Sequence, residues 1–213
     1  MLRTSFALVL TLALVVPVAP LAAQADNGPS IRFGVMGGRT KPAGDLSNGA
    51  TNDWNLGGLV LFGAPQSWIR FRLDGQWQRV QGTVAGGGLL CGNCPYYTTA
   101  RNLRVLDATA NAVISTPVSE SAKLYLIGGV GVYNARTTLI SSVNASYSRE
   151  GESATRAGIN GGIGATFKVG RHDAFVEARI HSLFGSSAFS RDPFYDAYPS
   201  NVRMLPFNVG FVF

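Results

Sequence analysis

Ile69-Arg70-Phe71-Arg72-Leu73-Asp74-Gly75-Gln76-Trp77-Gln78 alternates without a break. Successive side chains of an extended strand point to opposite faces. Ile69, Phe71, Leu73, Gly75 and Trp77 therefore share one face, and Arg70, Arg72, Asp74, Gln76 and Gln78 share the other. Around a soluble core the charged face would meet water. The composition argues for the reverse. Only 14% of the residues are charged, against about a quarter in soluble domains, yet no segment after the N-terminus is an apolar run of membrane-helix length. Strands that turn an apolar face to lipid and a polar face inward reconcile the two observations.

The same pattern extends along the chain. Eight alternating segments are expected, at roughly 30–40, 53–63, 68–80, 102–115, 122–135, 154–169, 173–184 and 203–213. Each is at least as long as the ~9–11 residues that a tilted membrane strand needs. Three connections are short (63–67, 116–121, 170–172) and four are long (41–52, 81–101, 136–153, 185–202), in strict alternation. Short periplasmic turns and long external loops produce that asymmetry. The expected fold is all-β: an eight-stranded antiparallel up-and-down transmembrane β-barrel with both termini on the periplasmic side.

The N-terminal segment reads as a separate element. Arg3 precedes an apolar run from Phe6 to Val16, Pro17 and Pro20 break it, and Ala23-Gln24-Ala25 fits a cleavage site. This is the layout of a secretory signal, so residues 1–25 are expected to be a signal peptide and 26–213 the barrel domain. The other reading, a retained anchor, needs roughly 20 apolar residues, more than the run provides. The chain carries a net charge of +6, of which Arg3 contributes one. The basic residues are dispersed, and export removes nucleic acid as a partner.

Side-chain alternation sorts the remaining candidates. Ile159, Ile163, Ala165 and Phe167 are expected to point outward, with Arg156, Asn160, Thr166 and Lys168 inward. Val176, Ala178 and Ile180 are likewise outward, and Glu177, Arg179 and His181 inward. The second and fifth segments are apolar on both faces, and their inward sides stay unassigned. Trp54 with Phe62, and Tyr125 with Tyr133, lie eight residues apart on one face. Tilted residues at about 3.3 Å each make that spacing comparable to the apolar band, so both pairs are expected to mark aromatic girdles. Arg70, Arg72, Asp74, Asp107, Asn111, Asn160, Glu177, Arg179 and His181 form the expected polar interior, either a salt-bridged plug or a narrow conduit.

The closing segment aligns Leu205, Phe207, Val209, Phe211 and the terminal Phe213 on one face. With this strand the chain resembles the small outer-membrane β-barrel proteins, including the opacity-type and porin-like eight-stranded barrels. The resemblance covers the architecture from residue 26 to the end. It implies residence in the bacterial outer membrane and recognition of Phe211 and Phe213 by the barrel assembly machinery. The function expected first is a structural or surface-interaction role, with a porin-like channel for small solutes as the alternative. One chain per barrel is expected.

An enzyme of lipid modification is the third reading. A related lipid A deacylase family carries a His-x-Ser pair on one strand. Here Ser182 directly follows His181, so the two point to opposite faces. No catalytic residue, cofactor or metal is expected. Gly128-Gly129-Val130-Gly131 and Gly161-Gly162-Ile163-Gly164 lack the Lys-Ser/Thr of a phosphate loop and open no helix.

Cys91 and Cys94 are the only cysteines, and a disulfide between them suits an oxidising compartment. A redox pair or a zinc site would need a helix or further ligands that are not evident. Tyr96, Tyr97, Phe194, Tyr195 and Tyr198 in the long loops suit either an extracellular ligand or girdle and loop packing. Arg39, Lys41, Arg79, Arg101, Arg136 and Arg203 fall near the outer ends of segments. They would meet lipopolysaccharide phosphates and other outer-membrane lipid, or stand as solvated charges.

Overall fold

In the computed structural model, residues 30–43, 50–85, 98–142, 146–184 and 202–213 are described. They form eight strands: β1 Ser30–Ala43, β2 Ala50–Gly63, β3 Ile69–Ala85, β4 Thr98–Pro117, β5 Ala122–Ser142, β6 Ser146–Val169, β7 His172–Leu183 and β8 Val202–Val212. Each pairs antiparallel with its neighbours, and β8 pairs with β1 to close the barrel. Closure leaves no strand edge to be desolvated in lipid.

Stepping from partner to partner once round the barrel fixes its geometry. Phe33 leads through Val60, Leu73, Ala110, Val130, Ile159, Ser182 and Arg203 to Ala43, ten residues along the starting strand. With about 3.3 Å per residue and 4.8 Å between strands, that stagger tilts the strands by about 41°. Each residue then climbs about 2.5 Å along the barrel axis, and each step to the next strand about 3 Å.

The apolar residues face outward. Val35, Leu56, Leu73, Leu106, Val130, Val132, Ile159, Ile163, Val176 and Val209 are all exposed. Trp54 stands about 20 Å above Phe62 on the outer face, and its ring lies 4.5 Å from that of Trp77. Phe33, Phe71, Phe211 and Phe213 are exposed at the opposite, turn-side level.

Two expectations are corrected here. Tyr125 and Tyr133 are not girdle residues: they are 5% and 0% exposed and point into the barrel. On β5 the outward face is Leu124, Leu126, Val130 and Val132. The inward face has room for the tyrosines because glycines lie beneath them. A Cβ at Gly164 would collide with the Tyr125 ring, and one at Gly158 would come within 2.8 Å of the Tyr133 ring. The segment 136–153 is also not mainly a loop, because β5 and β6 continue pairing up to Ser142 and Ser146. The pairing continues past a register shift between Arg136 and Thr138, of the kind that a bulge residue introduces. The turns on the other side are short. In the tightest, Gly170 takes φ +63°, a left-handed conformation that glycine adopts without cost.

Candidate functional site

The interior is where the sequence places most of its charge, and its layers run along the barrel axis. On β3, alternation directs Arg70, Arg72, Asp74, Gln76 and Gln78 inward, and all five are buried. Glu177, Arg179 and His181 reach the same space from β7. At mid-height four charges cross the barrel. Arg72 donates to Asp74 (2.6 Å) and to both oxygens of Glu177 (2.9 and 3.3 Å). Arg179 donates to Glu177 (2.6 Å) and Asp74 (3.0 Å). Two cations and two anions close a neutral ring. Asn111 donates to Asp74 at 2.7 Å and Tyr125 to Glu177 at 2.9 Å. The Arg72 guanidinium lies 5.2 Å from the centre of the Phe175 ring. Buried charges are tolerated when paired and hydrogen-bonded in this way.

Apolar clusters lie on either side of the ring. Towards the turns, Met36, Leu59, Leu61, Phe175 and Val212 pack together, with Val113, Tyr125 and Ile127 nearby. Towards the long loops, Val105, Tyr133, Ala135, Leu183 and Met204 form a second plug against Leu103 and Val202. Between this plug and the ring lies a further polar layer. Gln78 donates to Asp107 at 2.6 Å, Thr40 to Gln78 at 3.1 Å, and Asn55 to Thr40 at 3.0 Å. The Tyr133 hydroxyl lies 3.1 Å from His181 Nδ1.

The nine residues expected inside are all buried, but they do not form one cluster. Arg72, Asp74, Asn111, Glu177 and Arg179 make the ring. Asp107, Asn160 and His181 lie in the loop-side half, and Arg70 lines a small cavity at the turn side with Asp173 and Phe175. Lys168, expected inside, is exposed because β6 has by then reached the barrel mouth. Tyr125 is the member of the ring that the sequence reading missed. The signal was available in Gly164, whose missing side chain leaves the space.

Among the described residues, no serine or cysteine joins His181. Ser182 faces the other side of β7, and both oxygens of Glu177 are held by the arginines and Tyr125. No group of three or more potential metal ligands occurs among the described residues. A depression of about 740 Å³ is lined mainly by outward side chains, including Ile114, Leu126, Ile163, Val176 and Phe207, and belongs to the lipid-facing wall.

At the outer rim Arg39, Lys41, Arg136 and Arg203 are exposed. Arg79 is half-buried, with Nε 3.0 Å from Asp53 Oδ2. Arg101 lies on β4, but its side chain is outside the described set. The signal segment, Cys91, Cys94, Tyr96, Tyr97, Phe194, Tyr195 and Tyr198 lie outside the described residues.

A family described as the outer membrane protein β-barrel domain matches residues 8–211. No curated protein matches. Among solved structures, Neisserial surface protein A (NspA) is 15% identical with a TM-score of 0.51, covering 87% of this chain and 97% of that one. The attachment invasion locus protein Ail of Yersinia pestis, crystallised with the heparin analogue sucrose octasulfate, is 16% identical with a TM-score of 0.36. That match covers 87% and 97% of the two chains. The N-terminal β-barrel domain of Pseudomonas aeruginosa OprF is 13% identical with a TM-score of 0.39, covering 86% and 96%. At these identities the likeness to the first is one of fold.

Proposed function

We propose a function from this premise: the chain belongs to the outer membrane protein β-barrel domain family and resides in the bacterial outer membrane. On this reading it is a sealed structural barrel whose loop-bearing end serves surface contacts. The observation that carries it is the Arg72–Asp74–Glu177–Arg179 ring spanning the interior between two apolar clusters. A hydrated ion passing through would have to break four ion pairs and enter apolar layers. An eight-stranded barrel has just enough interior for its side chains.

The remaining parts fit the same role. Residues 1–25 direct export and are removed. Phe211 and Phe213 present the closing strand to the assembly machinery, and the barrel acts as a single chain. Its partners are outer-membrane lipid and an extracellular ligand at the loops. The reading is non-enzymatic: the four ring charges hold one another, and among the described residues no serine or cysteine pairs with His181.

Planar-bilayer recordings of the purified barrel test this directly. The expected result is no stable unitary conductance. Reproducible steps of one size that persist in Phe213-intact, heat-modifiable protein would replace the sealed reading with that of a narrow channel.

A further inference from the structure

We infer that the outer wall of β3, β4 and β5 carries a phosphate-binding arc, formed by Arg79, Arg104 and Arg136, for the phosphorylated headgroup of an outer-leaflet glycolipid. This goes beyond the sealed-barrel reading. It rests on the barrel's place in the outer membrane and is independent of whether the interior conducts.

Strand register is the first observation. Arg79 is the direct partner of Arg104, and Arg104 is the direct partner of Arg136. All three lie on the outward face. With about 4.8 Å between strands, the two outermost backbones are only about 10 Å apart. Like charges placed directly opposite on one face of a sheet destabilise it. Three in a row leave a concentration of positive charge that a bound anion would relieve.

The chain answers only part of that charge. Beside the register shift between Asn52 and Asn55, the Asp53 carboxylate meets Arg79 and accepts a hydrogen bond from Gln81 at 3.0 Å. Arg104 is exposed and makes no ion pair with any described residue. Arg136 has contacts of its own, and the arc does not require it to be free. A guanidinium has five N–H donors, so it can hold a neighbour and still meet an anion.

Position identifies the class of anion. The tilt places Arg79, Arg104 and Arg136 about 21–28 Å above the level of Phe33, at the outer border of an apolar band ~25 Å tall. Directly below them lie the paired rings of Trp54 and Trp77 and the exposed Leu106. A ligand seated here meets apolar surface towards the membrane centre and guanidinium groups above it. An amphiphile with acyl chains below and phosphate at the headgroup matches both. Arg binds phosphate with two parallel hydrogen bonds, and a phosphate shared among three guanidinium groups screens their repulsion. Arg39, the partner of Trp54 on β1, extends the arc on the other side of the tryptophans.

The test uses the full barrel purified from membranes, stripped of lipid, and probed with bisphosphorylated lipid A, its fully dephosphorylated form and inorganic phosphate. Bisphosphorylated lipid A should raise the thermal unfolding midpoint, and the dephosphorylated form should not. Arg79→Gln/Arg104→Gln/Arg136→Gln should weaken lipid A affinity by at least about ten-fold, since three surface contacts of up to ~1 kcal/mol each act together. Lys123→Gln/Lys168→Gln/Arg171→Gln removes the same charge at the turn side and should leave the affinity unchanged. Equal losses in both variants would mean that net charge alone attracts lipid, and would overturn the arc. An arc variant that binds like the parent would overturn it too. Full displacement of lipid A by millimolar inorganic phosphate would overturn the assignment to a lipid. If the triple variant does not fold, Arg104→Gln alone must lower affinity two- to three-fold and reduce its salt dependence. An unchanged Arg104→Gln would then overturn the proposal.

Discussion

Replacing Arg72 by Met tests the interior ring most directly. Arg72 supplies one of the two positive charges that balance Asp74 and Glu177, through contacts of 2.6, 2.9 and 3.3 Å. Met fills much of the volume but leaves a net negative charge in a site that is almost fully buried. Removing one partner of a buried ion pair costs about 3–5 kcal/mol. Arg179 still holds both acids, at 2.6 and 3.0 Å, so the lower end, about 3 kcal/mol, is expected. That is a large part of the ~5–15 kcal/mol that stabilises a typical domain. The double variant Arg72→Met/Glu177→Gln restores neutrality and keeps the Arg179–Asp74 pair. It should be more stable than Arg72→Met, with a coupling energy in the range of about 0.5–3 kcal/mol. Urea unfolding in lipid vesicles measures this, read by the fluorescence of Trp54 and Trp77 on the outer face and of the exposed Trp68. A cost below about 1 kcal/mol, or effects additive within ~0.5 kcal/mol, would refute the idea that ring electrostatics stabilise the barrel.

Three further outcomes are expected. Gly164→Val should destabilise the barrel by about 1–3 kcal/mol, because the added carbons occupy the space of the Tyr125 ring; Gly170→Asn, at a left-handed turn position with nothing near its missing Cβ, should cost less in the same unfolding assay. Deleting Phe213 should lower the amount of folded barrel in outer-membrane fractions at native expression, measured by heat modifiability on gels, and unchanged levels would separate the terminal residue from assembly. Cys91 and Cys94 should be bonded to each other in exported protein, so thiol labelling of unreduced, denatured chain should find no free thiol, and two labelled cysteines would disprove the pairing.

The fold was legible because barrel insertion imposes a rule on every second residue. Segments such as 69–78, with charge on one face only, have a single workable orientation in lipid. Their eight-fold recurrence and the alternation of loop lengths then specify the topology. The strand ends were less legible. Nothing in the composition of 136–153 distinguishes a polar loop from a hairpin continuing beyond the membrane, where both faces meet water and alternation loses its meaning.

The candidate site was legible only in part, for a reason that Tyr125 and Tyr133 illustrate. Both carry an apolar ring and a hydroxyl, so either can sit at a membrane border or reach a buried polar partner. Between the two tyrosines β5 offers no charged residue to break the tie, since Leu126, Ile127, Val130 and Val132 occupy both faces. The decision is made on the adjacent strand. Gly158 and Gly164 on β6 remove the side chains that would otherwise fill the interior, and each opening accepts a tyrosine ring from β5. The hydroxyls then meet Glu177 and His181 on β7. The orientation of one strand therefore depends on vacancies in a second and polar partners on a third. The same holds for the arginine arc: only the pairing of β3, β4 and β5 places Arg104 between Arg79 and Arg136.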